Sequence, residues 1–449
     1  MTTSSTACTE THHVLNARFS EGELKFPPAR TAWSIWALGA ALYLTGFFQR
    51  VAPGVMTQEL MAEFQIAAAG LGHLSGFYFY AYVAMQIPTG LMVDRFGARA
   101  VLSWGALVAT LGGLVFALAP DLFFANAGRA LVGGAVGVAW VCTLKLAAHW
   151  LAPRRFALAS GLALAAGMAG AVCAGVPLRW GVNIYGWRPV MLVCAAVMAV
   201  IAVLIVWIVR DDPSARGYRS YFVAASNTPS DTTSFWQSLR AVFAYRNTWF
   251  IYLAPQGLTG AAISFGGLWG VPYLVSVYGY TPAHAAFCCS VLLLSWGIGG
   301  PLFGGLSDRL RRRKQPFLLC VISALVLWSS LIYSPVQLPG WLLLTLLVSI
   351  GLVSGSMVIT FAYAKESVPA PLAGTVGGVA NMGSMTGAML QQPLVGWILD
   401  RSWHGATQGQ VRVYDAAAYQ AGFTLFVVWI AISLLAIACT RETQAKAFG

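Results

Sequence analysis

Arg50 is the side chain in this sequence with the most chemistry to offer. It follows an apolar run from Ile35 and sits in Phe47-Phe48-Gln49-Arg50-Val51-Ala52-Pro53. A charge inside an apolar helix costs about 3 kcal/mol on insertion scales, so it usually faces water or a partner. A guanidinium can hold a carboxylate or phosphate through two parallel hydrogen bonds, which an ammonium cannot reproduce. The competing reading is an arginine snorkelling to the membrane interface. Lys145, between Thr143 and His149, is a second cationic candidate, or else a lysine satisfying helix-end carbonyls and headgroups. Arg129 reads as an interior residue that hydrogen-bonds the first helix rather than a ligand.

Uncharged groups add a second set. Tyr78, Tyr82 and Gln86 recur every fourth residue, which puts two phenols and an amide on one helix face. Gln256, Asn381, Gln391 and Gln392 are donors and acceptors embedded in apolar sequence, with Gln256 and Asn381 the deepest. Helix-to-helix hydrogen bonding is the plainer role for each. No H-E-x-x-H, no paired intramembrane aspartates and no G-x-S-x-G are found, so no catalytic residue, metal site or cofactor is expected. A membrane-embedded enzyme is thereby disfavoured, and a sensor that binds without transporting has no signalling domain to support it.

The elements that would position these groups are twelve apolar stretches in two sets of six: 32–57, 68–92, 100–119, 122–148, 156–178, 187–209, 248–277, 283–306, 316–334, 339–364, 371–399 and 419–440. Each is long enough to cross a bilayer as a helix. The chain is 58% apolar and 9% charged, against about 25% charged in soluble domains. The expected organisation is a tail (1–31), a six-helix bundle (32–209), a linker (210–247), a second bundle (248–440) and a short tail (441–449). The linker carries polar signals at Asn227 to Asp231, and 234–243 has the spacing of a short interfacial helix. The first 30 residues show no signal-peptide pattern.

The net charge of +12 follows the positive-inside rule rather than pointing to nucleic acid. Arg95, Arg99, Arg154, Arg155, Arg210, Arg216 and Arg309 through Lys314 fall on one side with both termini. Only Arg179, Arg188, Arg401 and Arg412 fall on the other. Both termini are therefore expected in the cytoplasm, with the chain in the cytoplasmic (inner) membrane. The eight cysteines, Cys8 among them, read as small buried hydrophobes. All fifteen carboxylates lie in tails, loops or helix ends, so a coupling ion has no obvious intramembrane site. Glu366, His149 and the substrate's own ionisable group stay open as proton carriers.

Gly90-Leu91-Met92-Val93-Asp94-Arg95 has a partial copy in Gly304-Gly305-Leu306-Ser307-Asp308-Arg309, at corresponding places in the two sets. Ala159-Ser160-Gly161 with Gly167-Met168 is similarly echoed by Leu372-Ala373-Gly374 with Met382-Gly383. Duplication accounts for both. The longer motif, Gly90-x-x-x-Asp94-Arg95-x-Gly97-x-Arg99, resembles the loop 2–3 motif of the major facilitator superfamily. Arg129-x-x-x-Gly133 resembles its fourth-helix pattern, and Gly186-Trp187-Arg188 its sixth-helix start. Phe77 to Tyr82 with Gln86-Ile87-Pro88, and Leu144 to Ala147 with Trp150 and Pro153, are similar to bacterial carriers of the phagosomal nutrient-transporter type.

The resemblance implies an all-α membrane fold of twelve helices in two pseudo-symmetric bundles. It also implies secondary active transport of a small polar metabolite, an amino acid, nucleoside or organic anion, by alternating access in the direction of import. The position of Arg50 resembles the first-helix arginine of the superfamily's organic-anion carriers. Asp94, Arg95, Arg99, Asp308 and Arg309 take gating roles on this reading, with Arg129 and Glu366 in structure or coupling. The expected partners are the solute, a coupling proton or other ion and lipid, with the chain a monomer. The rival reading is an exporter of organic or drug-like compounds, although the fifth helix lacks the Gly-Pro element usual in drug-proton antiporters.

Overall fold

The computed structural model describes residues 25–221 and 235–444. Cys8, Lys446 and the polar stretch 227–231 lie outside these. Among the described residues ten helices are long and apolar enough to cross a membrane. They become twelve for two physical reasons. The 50-residue helix Ala68–Ala117 has a non-helical break at Gly97 (φ 82°, ψ 160°), so it is two spans in one. Ala373–Arg401 is 29 residues long but rich in glycine and amides, and falls short on hydropathy alone. We number the spans α1 (Ala29–Val55), α2 (68–96), α3 (98–117), α4 (Leu122–Trp150), α5 (Pro153–Tyr185) and α6 (Trp187–Ile208). The second six are α7 (Arg246–Tyr278), α8 (Pro282–Leu310), α9 (Lys314–Ile332), α10 (Gly340–Glu366), α11 (Ala373–Arg401) and α12 (Ala416–Ala438).

The turn expected at 93–99 is tighter than the sequence suggests: helix runs to Phe96 and resumes at Ala98. Asp211, just beyond α6, caps the restart by accepting from the Arg99 N–H at 2.7 Å. A Cβ on Gly97 would lie 2.7 Å from the Asp211 carboxylate, so only glycine fits this corner. In the second copy Arg311 stands where Gly97 does and closes α8 in the left-handed region (φ 51°, ψ 37°). The turn geometry therefore differs between the copies, and Arg311 bears a strain that glycine avoids.

Small residues let helices approach within each bundle. A Cβ on Gly133 of α4 would collide with the Tyr78 carbonyl of α2, and one on Gly387 of α11 with the Gln256 carbonyl of α7. The short helix expected at 234–243 forms as Phe235–Val242. Cys142, Cys288, Cys289 and Cys320 are buried, but Cys173, at a break within α5, and Cys439, just past α12, are exposed, and there the burial reading fails. A two-stranded hairpin, β1 (Thr407–Gln408) and β2 (Val411–Arg412), lies between α11 and α12.

The bundles meet asymmetrically. On the hairpin face, a Cβ on Gly54 of α1 would press on the Gly267 backbone of α7, and one on Gly72 of α2 on Gln392 and Pro393 of α11. Further along, Asn381 Nδ2 of α11 donates to Gln86 Oε1 of α2 at 2.5 Å. Toward the opposite face, which carries Asp94 and Asp308, no described atom lies within 4 Å of a Cβ at Gly90, Gly161 or Gly374. Close glycine contacts between the halves thus cluster on the hairpin face.

Candidate functional site between the bundles

Arg50 lies in the last two turns of α1 and is 3% exposed. Its guanidinium carbon is 4.2 Å from the ring centre of Phe47, 5.1 Å from Tyr82, 5.7 Å from Tyr78 and 5.9 Å from Phe79. Phe47 comes from one turn earlier on α1 and the other three rings from one stretch of α2. Such contacts offset part of a cation's desolvation but none of its charge. Among the described residues no carboxylate pairs with Arg50, and its Nε has no hydrogen-bond partner.

A narrow recess of about 10 Å³, room for about one water molecule, adjoins this arginine. Phe47, Val51, Met168 and Ala171 line it from the first bundle, and Ile263, Gly267, Leu293 and Trp296 from the second. Phe47 and Trp296 stack across the boundary with ring centres 6.4 Å apart. The cation thus sits where the halves meet, in apolar surroundings.

Arg129 of α4 is the neighbouring buried cation, at 1% exposure. It donates from Nη1 to the Gln49 carbonyl of α1 at 2.5 Å, while its Nε and Nη2 have no partner. Its guanidinium carbon is 5.1 Å from the ring centre of Tyr78, so Tyr78 separates two arginines. The Tyr78 hydroxyl donates to the Gly46 carbonyl at 3.0 Å, and Tyr78 and Tyr82 stack with centres 6.0 Å apart.

The other sequence-derived residues divide by place. Gln86 and Asn381 meet each other across the bundles, as above. Gln256 turns into the second bundle, where its Oε1 accepts from Trp429 Nε1 at 3.3 Å and its backbone carbonyl from Gln391 Nε2 at 3.3 Å. Gln392 is fully buried without a side-chain partner. Lys145 is not beside Arg50: its Nζ donates to the Val93 carbonyl at 2.9 Å and pairs with Asp94 at 3.1 Å, closing off the end of α2.

On the Asp94 face, each bundle has its own charge network. Arg99 Nη2 donates to the Val206 carbonyl at 3.2 Å, and Arg95 lies over Phe96. Asp308 accepts from Arg313 at 2.5 Å, and Glu366 accepts from the same guanidinium at 2.7 Å. Burial alone would lower the Arg313 pKa, but the bonds to Glu366 and Asp308 outweigh it and raise it. His149 pairs with Asp212 at 2.8 Å. Burial pushes the Asp212 carboxyl up, yet the bonds from His149 and Ser214 prevail and bring it to about 2. Neither Glu366 nor His149 reaches the Arg50 recess.

Trp296, Met168 and Phe47 are the site residues that sequence reading missed. Phe47 is three residues before Arg50, a helical neighbour, and could have been found. Trp296 and Met168 come from distant helices and carry no local signal.

The sequence profile of the Major Facilitator Superfamily matches residues 38–392. The chain belongs to this superfamily. Its relatives include the "Probable galactarate/D-glucarate transporter GudP" of Bacillus subtilis (strain 168), 21% identical over 398 residues, which cover 83% of this chain and 87% of that one. The "Probable sulfoacetate transporter SauU" of Cupriavidus necator is 22% identical, covering 83% and 88%. The "Uncharacterized transporter YybO" of Bacillus subtilis (strain 168) is 23% identical over a shorter match, covering 62% of this chain and 65% of that protein. A bacterial homolog of the human lysosomal transporter Spinster, solved inward-facing and unoccupied, superposes with TM-score 0.71 at 17% identity over 92% of this chain and 98% of that one. The protein is a multi-pass membrane transporter of the major facilitator fold.

Proposed function

We propose that this carrier imports a small organic anion by alternating access, with Arg50 holding a carboxylate or sulfonate of the solute. The observation that carries this reading is a buried guanidinium at the boundary of the bundles with no carboxylate partner among the described residues. A buried cation without a counter-ion is costly, and an anionic solute supplies the missing charge together with an acceptor for the Arg50 Nε. Arg129 adds positive potential from behind Tyr78. GudP and SauU, both named for organic acids, support the same class.

On this reading the working halves are 32–209 and 248–440, joined by 210–247, with the Asp94 face toward the cytoplasm. Gln86 and Asn381 then form a neutral cross-link on the path from site to cytoplasm. The test is a thermal-shift screen of the purified protein against aldarates, sulfoacetate, amino acids and nucleosides. A ligand at a hundred times its dissociation constant stabilises by about 2.7 kcal/mol. Stabilisation by an organic acid but not by nucleosides is expected. The reverse pattern would remove the anion reading.

A further inference from the structure

We infer that Asp400 is a latch that holds the hairpin face shut by capping a helix of the opposite bundle. Helix α2 starts at Ala68 with no side-chain cap of its own and no acidic residue in its first turn. Helices α4, α8 and α12 begin otherwise, with Asp121, Thr281 and Asp415 each capping its own helix. The first N–H groups of a helix are orphans that need acceptors. For α2 the acceptor comes from α11: Asp400 Oδ2 takes the Ala69 N–H at 2.8 Å and Oδ1 lies 3.2 Å from the Ala68 nitrogen. The Tyr414 hydroxyl accepts from Ala68 at 3.1 Å and donates to Asp400 Oδ1 at 2.5 Å.

Placement argues that this cap is made for the partner helix. Asp400 is the second-last residue of α11, where a carboxylate is opposed by the negative end of its own helix dipole. The positive end of α2, the Tyr414 hydroxyl and Arg412, 3.6 Å away, favour it there. Nearby small residues complete the joint, since a Cβ on Gly396 of α11 would strike the Ala68 carbonyl and one on Gly72 of α2 would press on Gln392. β2 and Tyr414 line the same recess as Thr57, Met61 and Leu71 of the first bundle. Opening this face requires α2 and α11 to part, and the Asp400 bonds break when they do. The latch therefore sets the balance between the two faces without touching the solute at Arg50.

The inference rests on the bundles exchanging which face is open, and its test needs no solute, so it stands apart from the assignment of Arg50. Thr57, buried on the latched face, and Gly161, open on the other, are each replaced by cysteine in a chain with Cys8, Cys173 and Cys439 changed to serine. Alkylation by a polar maleimide is timed in lipid nanodiscs. Charge-assisted hydrogen bonds contribute about 1.5–3 kcal/mol, so Asp400→Asn should speed labelling at Thr57→Cys by about tenfold or more. Labelling at Gly161→Cys should slow. Tyr414→Phe, which keeps the ring and loses the hydroxyl, should move both rates the same way by less. Unchanged rates would overturn the latch. Faster labelling at both positions would also overturn it, because it would show Asp400 holding the protein together rather than setting the balance of two states.

Discussion

Arg50 joins three properties rarely found together: full burial, a fixed charge and no protein counter-ion among the described residues. Truncating one member of a buried charge pair costs about 2–5 kcal/mol, at least about thirtyfold in affinity. Arg50→Gln should therefore weaken binding of the anionic solute by that factor or more. Arg50→Lys should weaken it less, because the charge stays while the two-pronged geometry is lost. Affinity of the purified variants, with monodispersity as the folding check, decides between this and an interfacial arginine, for which all three affinities would be nearly equal. The sequence made this residue visible because a charge amid phenylalanines has few explanations. It could not show what surrounds it, since Trp296 and Met168 reach the recess only through the packing of α8 and α5 against α1. Lys145 shows the opposite limit. A lone lysine near a helix end looks the same whether it faces a solute or an aspartate on the next helix, and here it is the aspartate.

Helices α2 and α11 carry the mechanical reading, because each lacks a local N-terminal cap and each ends with an aspartate. Asp400 already reaches across to α2. Asp94, at the other end of α2, is 82% exposed and held by Lys145 within its own bundle. We expect Asp94 to serve the uncapped start of α11 in the conformation that closes that face. Asp94→Asn should then slow transport by about ten- to a hundredfold, the equivalent of a charged hydrogen bond, while solute affinity changes little. Loss of binding in a folded variant would place Asp94 in the site instead. The neighbouring corner gives a separate expectation: Gly97→Ala forces a side chain into φ 82° and against Asp211, at a cost of about 1–3 kcal/mol, read as a lower unfolding temperature in detergent. The elements themselves were largely legible, because twenty apolar residues in a row leave a chain little choice. The α2–α3 corner was read too loosely because a single glycine, with Asp211 from beyond α6, does the work of a seven-residue loop. The cap from Asp400 had no sequence signal at all, since it joins positions more than three hundred residues apart.

At the scale of the whole molecule, the charge asymmetry points to one orientation. Arg95, Arg99, Arg154, Arg155 and the run Arg309 to Lys314 share the face that carries both aspartate loops, whereas among the described residues the hairpin face has Arg179, Arg188, Arg401 and Arg412. On the hairpin face these few are spoken for, with Arg179 paired to Glu59 at 2.6 Å, Arg188 to Glu63 at 2.9 Å and Arg412 near Asp400 at 3.6 Å. Positive charge resists translocation during insertion, so we expect the unbalanced basic face to stay in the cytoplasm. Ser214, in the turn after α6, and Gln408, exposed in β1, then lie on opposite sides of the membrane. In intact cells a membrane-impermeant maleimide should label Gln408→Cys at once. Ser214→Cys should react only after permeabilisation, in the same background without exposed native cysteines. The reverse order would turn the molecule over, placing Asp400 at the cytoplasmic gate. The Arg50 recess would be unchanged in either case, because it lies where the bundles meet.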